Sequence, residues 1–257
     1  ALKLSSYLIV FIFAILSFER LYTKRKKYNN ISGSNNKFKR IELGNTATIL
    51  VLIFCSTPFV FGCLIPIGRL STWLLRSTFN FDSINLLLTS LNTILISIVS
   101  CFLITLIAFI IIFCRNYFDS KVLKKISGLA ILGYSMPGAI IAIGVLKLNG
   151  FINEYIPLIF VGSIVGLVFS YLVRFLAVAW QPIESSVEKL GANVSQASRI
   201  LNVNYSKSLL YIYLPTLKKP ILIACLIVFI DISKELPLTL ILRPFNFDTL
   251  ATLTYDL

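Results

Sequence analysis

The chain has 257 residues, 57% of them hydrophobic and 14% charged, with a mean hydropathy of +0.86 and a formal net charge of +13. This is the composition of a polytopic membrane protein, in which apolar stretches recur at the length needed to cross ~30 Å of hydrocarbon. No alternating pattern supports a β-barrel, and the placement of the cations, described below, argues against nucleic-acid binding.

In chain order the apolar runs predict six helical spans, near 4–20, 46–67, 86–113, 126–147, 156–179 and 220–242. Each is long enough at ~1.5 Å of rise per residue. The first is not a signal peptide, because it ends in Glu19-Arg20 and has no small-residue cleavage site. Residues 21–44 form a basic segment whose Asn29-Asn-Ile-Ser-Gly-Ser-Asn-Asn36 patch suits a flexible linker. Gly133, Gly138, Gly144 and Pro137 crowd the fourth span, and Gly162 and Gly166 stand four apart in the fifth. Small residues there let helix backbones approach closely, and Pro137 could weaken a helix at a gate.

Charge sets the expected orientation. Eight cations fall in 20–40, four in 115–125 and five in 181–219, together 17 of the 24 Lys and Arg, and all three segments share one side if six spans alternate. The positive-inside rule makes that side cytoplasmic. Cys55, Cys63, Cys101, Cys114 and Cys225 sit in or beside apolar runs without Cys-x-x-Cys spacing, and the chain has no His. They read as small buried hydrophobes, and a metal cage of thiolate and imidazole is not expected.

Two polar constellations stand out. In 181–219, Ile183, Val187, Leu190, Val194, Ala197 and Leu201 recur at spacings of three and four, opposite Glu184, Glu188, Gln196 and Arg199, which predicts an amphipathic helix. Asn202 falls where a left-handed C-terminal cap is needed, and Asn204 can N-cap a short second helix, 205–213, that Pro215 ends. The second constellation is Asp231, Lys234 and Glu235 within the last span, with Arg174 of the preceding span as counter-charge or as a residue reaching toward the interface. Charges at such depth cost about +2.5 to 3.5 kcal/mol each on insertion scales unless paired or wet. Spacings of three and four put all three on one helical face, as a cation pathway or as a network that locks helices together.

Gln196-Ala-Ser-Arg-Ile-Leu-Asn202, followed by Leu214-Pro215, resembles the cytoplasmic ATPase-docking loop of ABC importer permeases, which reads roughly Glu-Ala-Ala-x-x-x-Gly and closes on a Leu-Pro pair. The chain has Gln196 for Glu and Asn202 for Gly. An earlier near-match, Glu184-Ser-Ser with Leu190-Gly191, has its Gly one residue late. Lys234-Glu-Leu-Pro-Leu-Thr-Leu240, Gly133-Tyr-Ser-Met-Pro-Gly138 and Arg174-Phe-Leu-Ala177 are similar to the ferric-iron branch of that family, in the form with two fused halves. The resemblance runs from about residue 45 to the end.

It implies an all-α, polytopic transmembrane helical bundle of the MetI-like permease type. Residues 1–20 would be the last helix of a first half, 21–44 a cytoplasmic linker, and 45–257 a second half lacking its final helix, with docking loop 181–219. Gln196, Ala197, Ser198, Arg199, Leu201, Asn202, Asn204, Leu214 and Pro215 would carry the docking, and Arg174, Asp231, Lys234 and Glu235 the translocation path or charge network. The implied partners are a cytoplasmic ABC ATPase dimer, a periplasmic ferric-iron-binding protein, the first permease half and lipid, in a bacterial inner membrane. Gly-x-x-x-x-Gly-Lys-Ser/Thr is absent, so ATP and Mg would be bound by the ATPase, and this chain would be a transport subunit without a cofactor of its own. The alternatives are a permease for thiamine, phosphonate or sulfate, or else an ion-coupled transporter or membrane enzyme.

Overall fold

The computed structural model describes residues 10, 14–15, 18, 44–76, 83–118, 128, 131–155, 162–190 and 203–256. Every regular element among them is helical: α1 (Asn45–Arg76), α2 (Ser83–Phe118), α3 (Gly138–Tyr155), α4 (Ile164–Leu190), α5 (Tyr205–Ser233), α6 (Pro237–Leu242) and α7 (Leu250–Asp256), with a 3₁₀ turn at Ile131–Ser135. Among these, α1, α2, α4 and α5 are long and apolar enough to cross a membrane. Two compact units emerge, residues 21–82 and residues 1–20 with 83–257.

In the first unit, α1 presents Leu50, Phe54, Phe61 and Leu74 outward, and none of its residues is buried. A helix apolar on all sides is suited to hydrocarbon rather than water. Its Ser56, Thr57, Ser71 and Thr72 hydroxyls donate to carbonyls of the preceding turn, as Thr57 Oγ1 does to the Ile53 carbonyl at 2.7 Å. Pro66 does not end it. Over Val60–Leu64 the hydrogen bonding widens by one residue, with the Ile65 N–H donating to the Val60 carbonyl. Such a widened turn just before a proline accommodates both its ring and its missing N–H.

In the second unit α2, α4 and α5 pack on one another. Each contributes a stripe at helical spacing: Ile104, Ala108 and Ile112 from α2; Leu167, Tyr171, Trp180 and Ile183 from α4; Leu217, Ala224 and Val228 from α5. Ala108 and Ala224 are fully covered and let the axes draw together. Trp180, also fully covered, fills the interior near the far end of α4. α6 lies on α3, and α7 lies on α2.

These helices redraw several of the expected spans. α4 does not stop at 179; its buried stripe continues through Ile183 and Val187, so 181–190 is the end of that helix and not the start of a separate loop helix. Pro182 is tolerated inside it because the packing of Trp180, Ile183 and Val187 outweighs one lost backbone bond. Pro215 likewise fails to end a short helix 205–213. The ladder widens over Leu209–Tyr213, with the Leu214 N–H donating to the Leu209 carbonyl, and α5 continues to Ser233. The same device therefore precedes Pro66 and Pro215.

The expected spans 126–147 and 220–242 are interrupted. In the first, the 3₁₀ turn gives way at Met136 and Pro137, and α3 begins at Gly138, with the Pro137 carbonyl accepting the Ile140 N–H at 3.0 Å. In the second, α5 ends where Lys234 adopts φ −101° and ψ 2°, and α6 starts afresh at Pro237. Most of the expected span 4–20 and all of the linker 21–44 except Gly44 lie outside the described residues.

Candidate functional site: a charge quartet at paired helix breaks

The two breaks meet beside α4. Gly133 in the 3₁₀ turn lies so close to α4 that a Cβ built there would sit 1.9 Å from the Val173 carbonyl oxygen. At Gly138 a Cβ would stand 1.8 Å from Arg174 Nη1 and 2.6 Å from Glu235 Oε1. Both glycines are therefore there for close approach, the first to backbone and the second to an ion pair.

That pair joins Arg174 of α4 to Glu235 in the α5–α6 break, Nη1 to Oε1 at 3.0 Å, with side-chain exposures of 18% and 7%. Its geometry is a close charge contact without the alignment of a hydrogen bond: neither Nε nor Nη1 of Arg174 has a hydrogen-bond partner among the described residues. Glu235 also organises the break. Its carboxylate accepts the Leu238 N–H at 3.3 Å, satisfying a donor in the first turn of α6, and its carbonyl accepts Thr239 Oγ1 at 2.7 Å. Thr239 in turn meets Tyr171 Oη at 2.6 Å, one turn of α4 from Arg174.

Asp231, in the last turn of α5, forms the second pair: its Oδ1 lies 2.8 Å from Lys234 Nζ. The two partners differ in exposure, 69% for the lysine side chain and 11% for the aspartate. The three charges do not share one helical face as their spacing predicts, because the helix ends between Asp231 and Glu235 and sends the carboxylates to separate cations. Two cations and two carboxylates then cancel, which lowers the cost of placing them among apolar helices. Beside Asp231 lies a cavity of about 530 Å³, lined also by Tyr134, Ser135 and Gln181, with otherwise apolar walls.

A second cluster lies near the C-terminal ends of α2 and α4. Arg115 pairs with Glu184, and its guanidinium lies 5.6 Å from the centre of the Trp180 ring. The indole N–H of Trp180 donates to the other carboxylate oxygen of Glu184 at 2.5 Å. Tyr117 Oη donates to the Val203 carbonyl at 3.4 Å, and Phe113 meets Tyr213 edge to face at 5.0 Å. α2 therefore holds both Leu190-proximal α4 and the beginning of α5, the two rims of segment 191–202.

Of the residues singled out from sequence, Gln196, Ala197, Ser198, Arg199, Leu201 and Asn202 lie outside the described residues. Asn204 does occupy the N-cap position of α5, with extended backbone, but its side chain makes no capping bond. Leu214 and Pro215 sit inside a continuous helix. Glu184, part of the discarded near-match, is an internal α4 residue paired with Arg115. Arg174 pairs with Glu235.

Sequence reasoning missed Gly138 as the floor of the ion pair, the Arg115–Glu184–Trp180 cluster and the contact of Cys101 with Cys225, whose sulfurs lie 3.3 Å apart between α2 and α5. No group of three or more His, Cys, Asp or Glu is placed to hold a metal ion among the described residues. No protein-family model matches the chain, and no curated protein matches it.

Proposed function

We propose that this chain is a membrane-spanning permease component of an ATP-driven ABC importer, moving ferric iron delivered by a periplasmic binding protein, with ATP hydrolysed by a separate cytoplasmic subunit. The observation that carries the reading is mechanical. The two helices that emerge from segment 191–202, α4 and α5, are the helices that carry Arg174 and Asp231 and lead into Glu235. A push on that segment would therefore travel along packed helices to the charge quartet. The rims are clamped to α2 by the Arg115–Glu184 pair and the Phe113–Tyr213 contact, so the push would not dissipate as local bending.

The loop sequence supplies the partner. The Gln196-to-Asn202 segment with its Leu-Pro closure is similar to the docking element of ABC permeases, and its basic flanks favour a cytoplasmic position. The charge quartet is then a gate or pathway element within the membrane. The chain itself performs no chemistry in this scheme.

The test is coupling. In the full-length permease reconstituted with its ATPase and binding protein, Leu201→Glu should abolish capture of the ATPase and stimulation of hydrolysis, because it puts a charge into an apolar contact. Asn202→Gly should be silent. Retention of the ATPase with parental stimulation in Leu201→Glu would remove segment 196–202 as the docking site.

A further inference from the structure

We propose that the cavity beside Asp231 is a transit site for a hard, oxygen-preferring metal cation, and that Lys234 is a tethered counter-ion which the incoming cation displaces. This rests on the importer reading for its biological role, whereas its geometry is independent of segment 191–202.

The donor set comes from three elements. Tyr134 and Ser135 belong to the 3₁₀ turn, Gln181 to α4 and Asp231 to α5. They offer a phenol, a hydroxyl, an amide carbonyl and a carboxylate, all oxygen donors. Neither sulfur nor imidazole lines the cavity. Hard cations favour such a set, and soft or borderline ones favour thiolate and imidazole. None of Tyr134, Ser135 or Gln181 spends its side-chain polar group on a hydrogen bond to another described residue. A volume of about 530 Å³ leaves room for a cation that keeps part of its water shell.

One carboxylate with neutral oxygens makes a weak site, and weakness suits transit: a cation must enter and also leave. Lys234 explains how Asp231 is kept in the meantime. The carboxylate is fixed near the end of a packed helix, whereas the ammonium rides an exposed, flexible stem. A cation arriving at Asp231 repels the ammonium, which can swing away. The neighbouring Glu235 is already committed to Arg174 and to α6, so it stays out of the exchange.

This assigns Lys234 an effect opposite to that of a structural tie. The experiment is titration of the purified full-length permease in detergent with terbium(III), a hard trivalent probe whose luminescence nearby tyrosine sensitises. Saturable emission is expected. Lys234→Gln should tighten binding about two- to fivefold, the worth of the exposed pair it removes. Asp231→Asn should weaken it about tenfold or more through loss of the charged ligand.

Binding that is unchanged or weaker in Lys234→Gln would overturn the counter-ion role, and binding indifferent to Asp231→Asn would overturn the site. Should Asp231→Asn not fold, the exposed Lys234→Gln alone decides. If terbium behaves as expected while the reconstituted permease accumulates iron without ATP, the importer reading falls and the site stands. The reverse pattern sinks the site alone.

Discussion

Glu235→Gln should destabilise the protein far more than Lys234→Gln, although both residues neighbour Asp231 along the chain and each loses one charge. Glu235 is 7% exposed and faces Arg174, itself 18% exposed and wedged against Gly138. Removing the carboxylate's charge leaves a covered guanidinium without its counter-charge, at about 3 to 5 kcal/mol for a buried pair broken from one side. The unaligned contact and the partial exposure of Arg174 favour the lower end. At about 1.4 kcal/mol per tenfold, 3 kcal/mol is a factor of more than about a hundred in the folding equilibrium.

Lys234, 69% exposed, should lose no more than about 1 kcal/mol. Replacing Arg174 and Glu235 together with Leu removes both charges, and the double variant should fall within about 1 to 2 kcal/mol of the parent, the residue of that loss being the Leu238 N–H that Glu235 satisfies. Denaturant titration of the purified protein in mixed micelles measures the parent and these three variants, and the single Arg174→Leu and Glu235→Leu variants complete the cycle that isolates the pair. Equal losses for Glu235→Gln and Lys234→Gln would refute the assignment of Glu235 to a buried pair with Arg174.

Gly133→Ala should cost about 1 to 3 kcal/mol of thermal or denaturant stability because its Cβ meets a main-chain carbonyl that cannot rotate away, while Gly144→Ala, with nothing within 4 Å, should be neutral or slightly stabilising. Mild oxidation with copper-phenanthroline should link Cys101 to Cys225, seen as joined fragments after proteolysis within 191–202; absence of that link under conditions that oxidise other thiols would contradict the α2–α5 packing. Single cysteines in a Cys-free background should react with an impermeant thiol reagent from outside at Asn80 and not at Ser34; the opposite pattern would invert the orientation and remove the cytoplasmic placement of 181–219.

Much of the helical architecture was legible because hydrocarbon tolerates one backbone solution at a time: long apolar runs at 46–67 and 86–113 sit within α1 and α2. Helix ends were less legible. Pro137 and Pro237 do lie at breaks, but Pro66 and Pro215 do not, since a widened turn upstream absorbs each ring. A proline therefore marks strain in the ladder without saying whether the chain will break or slip. Spacing alone put Asp231, Lys234 and Glu235 on one face, and the break at Lys234 separated them. Arg174 was legible as a counter-charge because an intramembrane cation needs one. Gly138 was not legible as its seat, since a glycine reads the same whether it admits a helix or a guanidinium. Arg115 and Glu184 are 69 positions apart, a pairing that only the packing of α2 on α4 reveals.

The importer account is tested most directly by uptake of radiolabelled iron into proteoliposomes that hold the full-length permease with its ATPase, with the binding protein outside. The account predicts accumulation that requires ATP inside and ferric-loaded binding protein outside, and that Leu201→Glu abolishes. Accumulation that proceeds without ATP and follows an imposed ion gradient would contradict it.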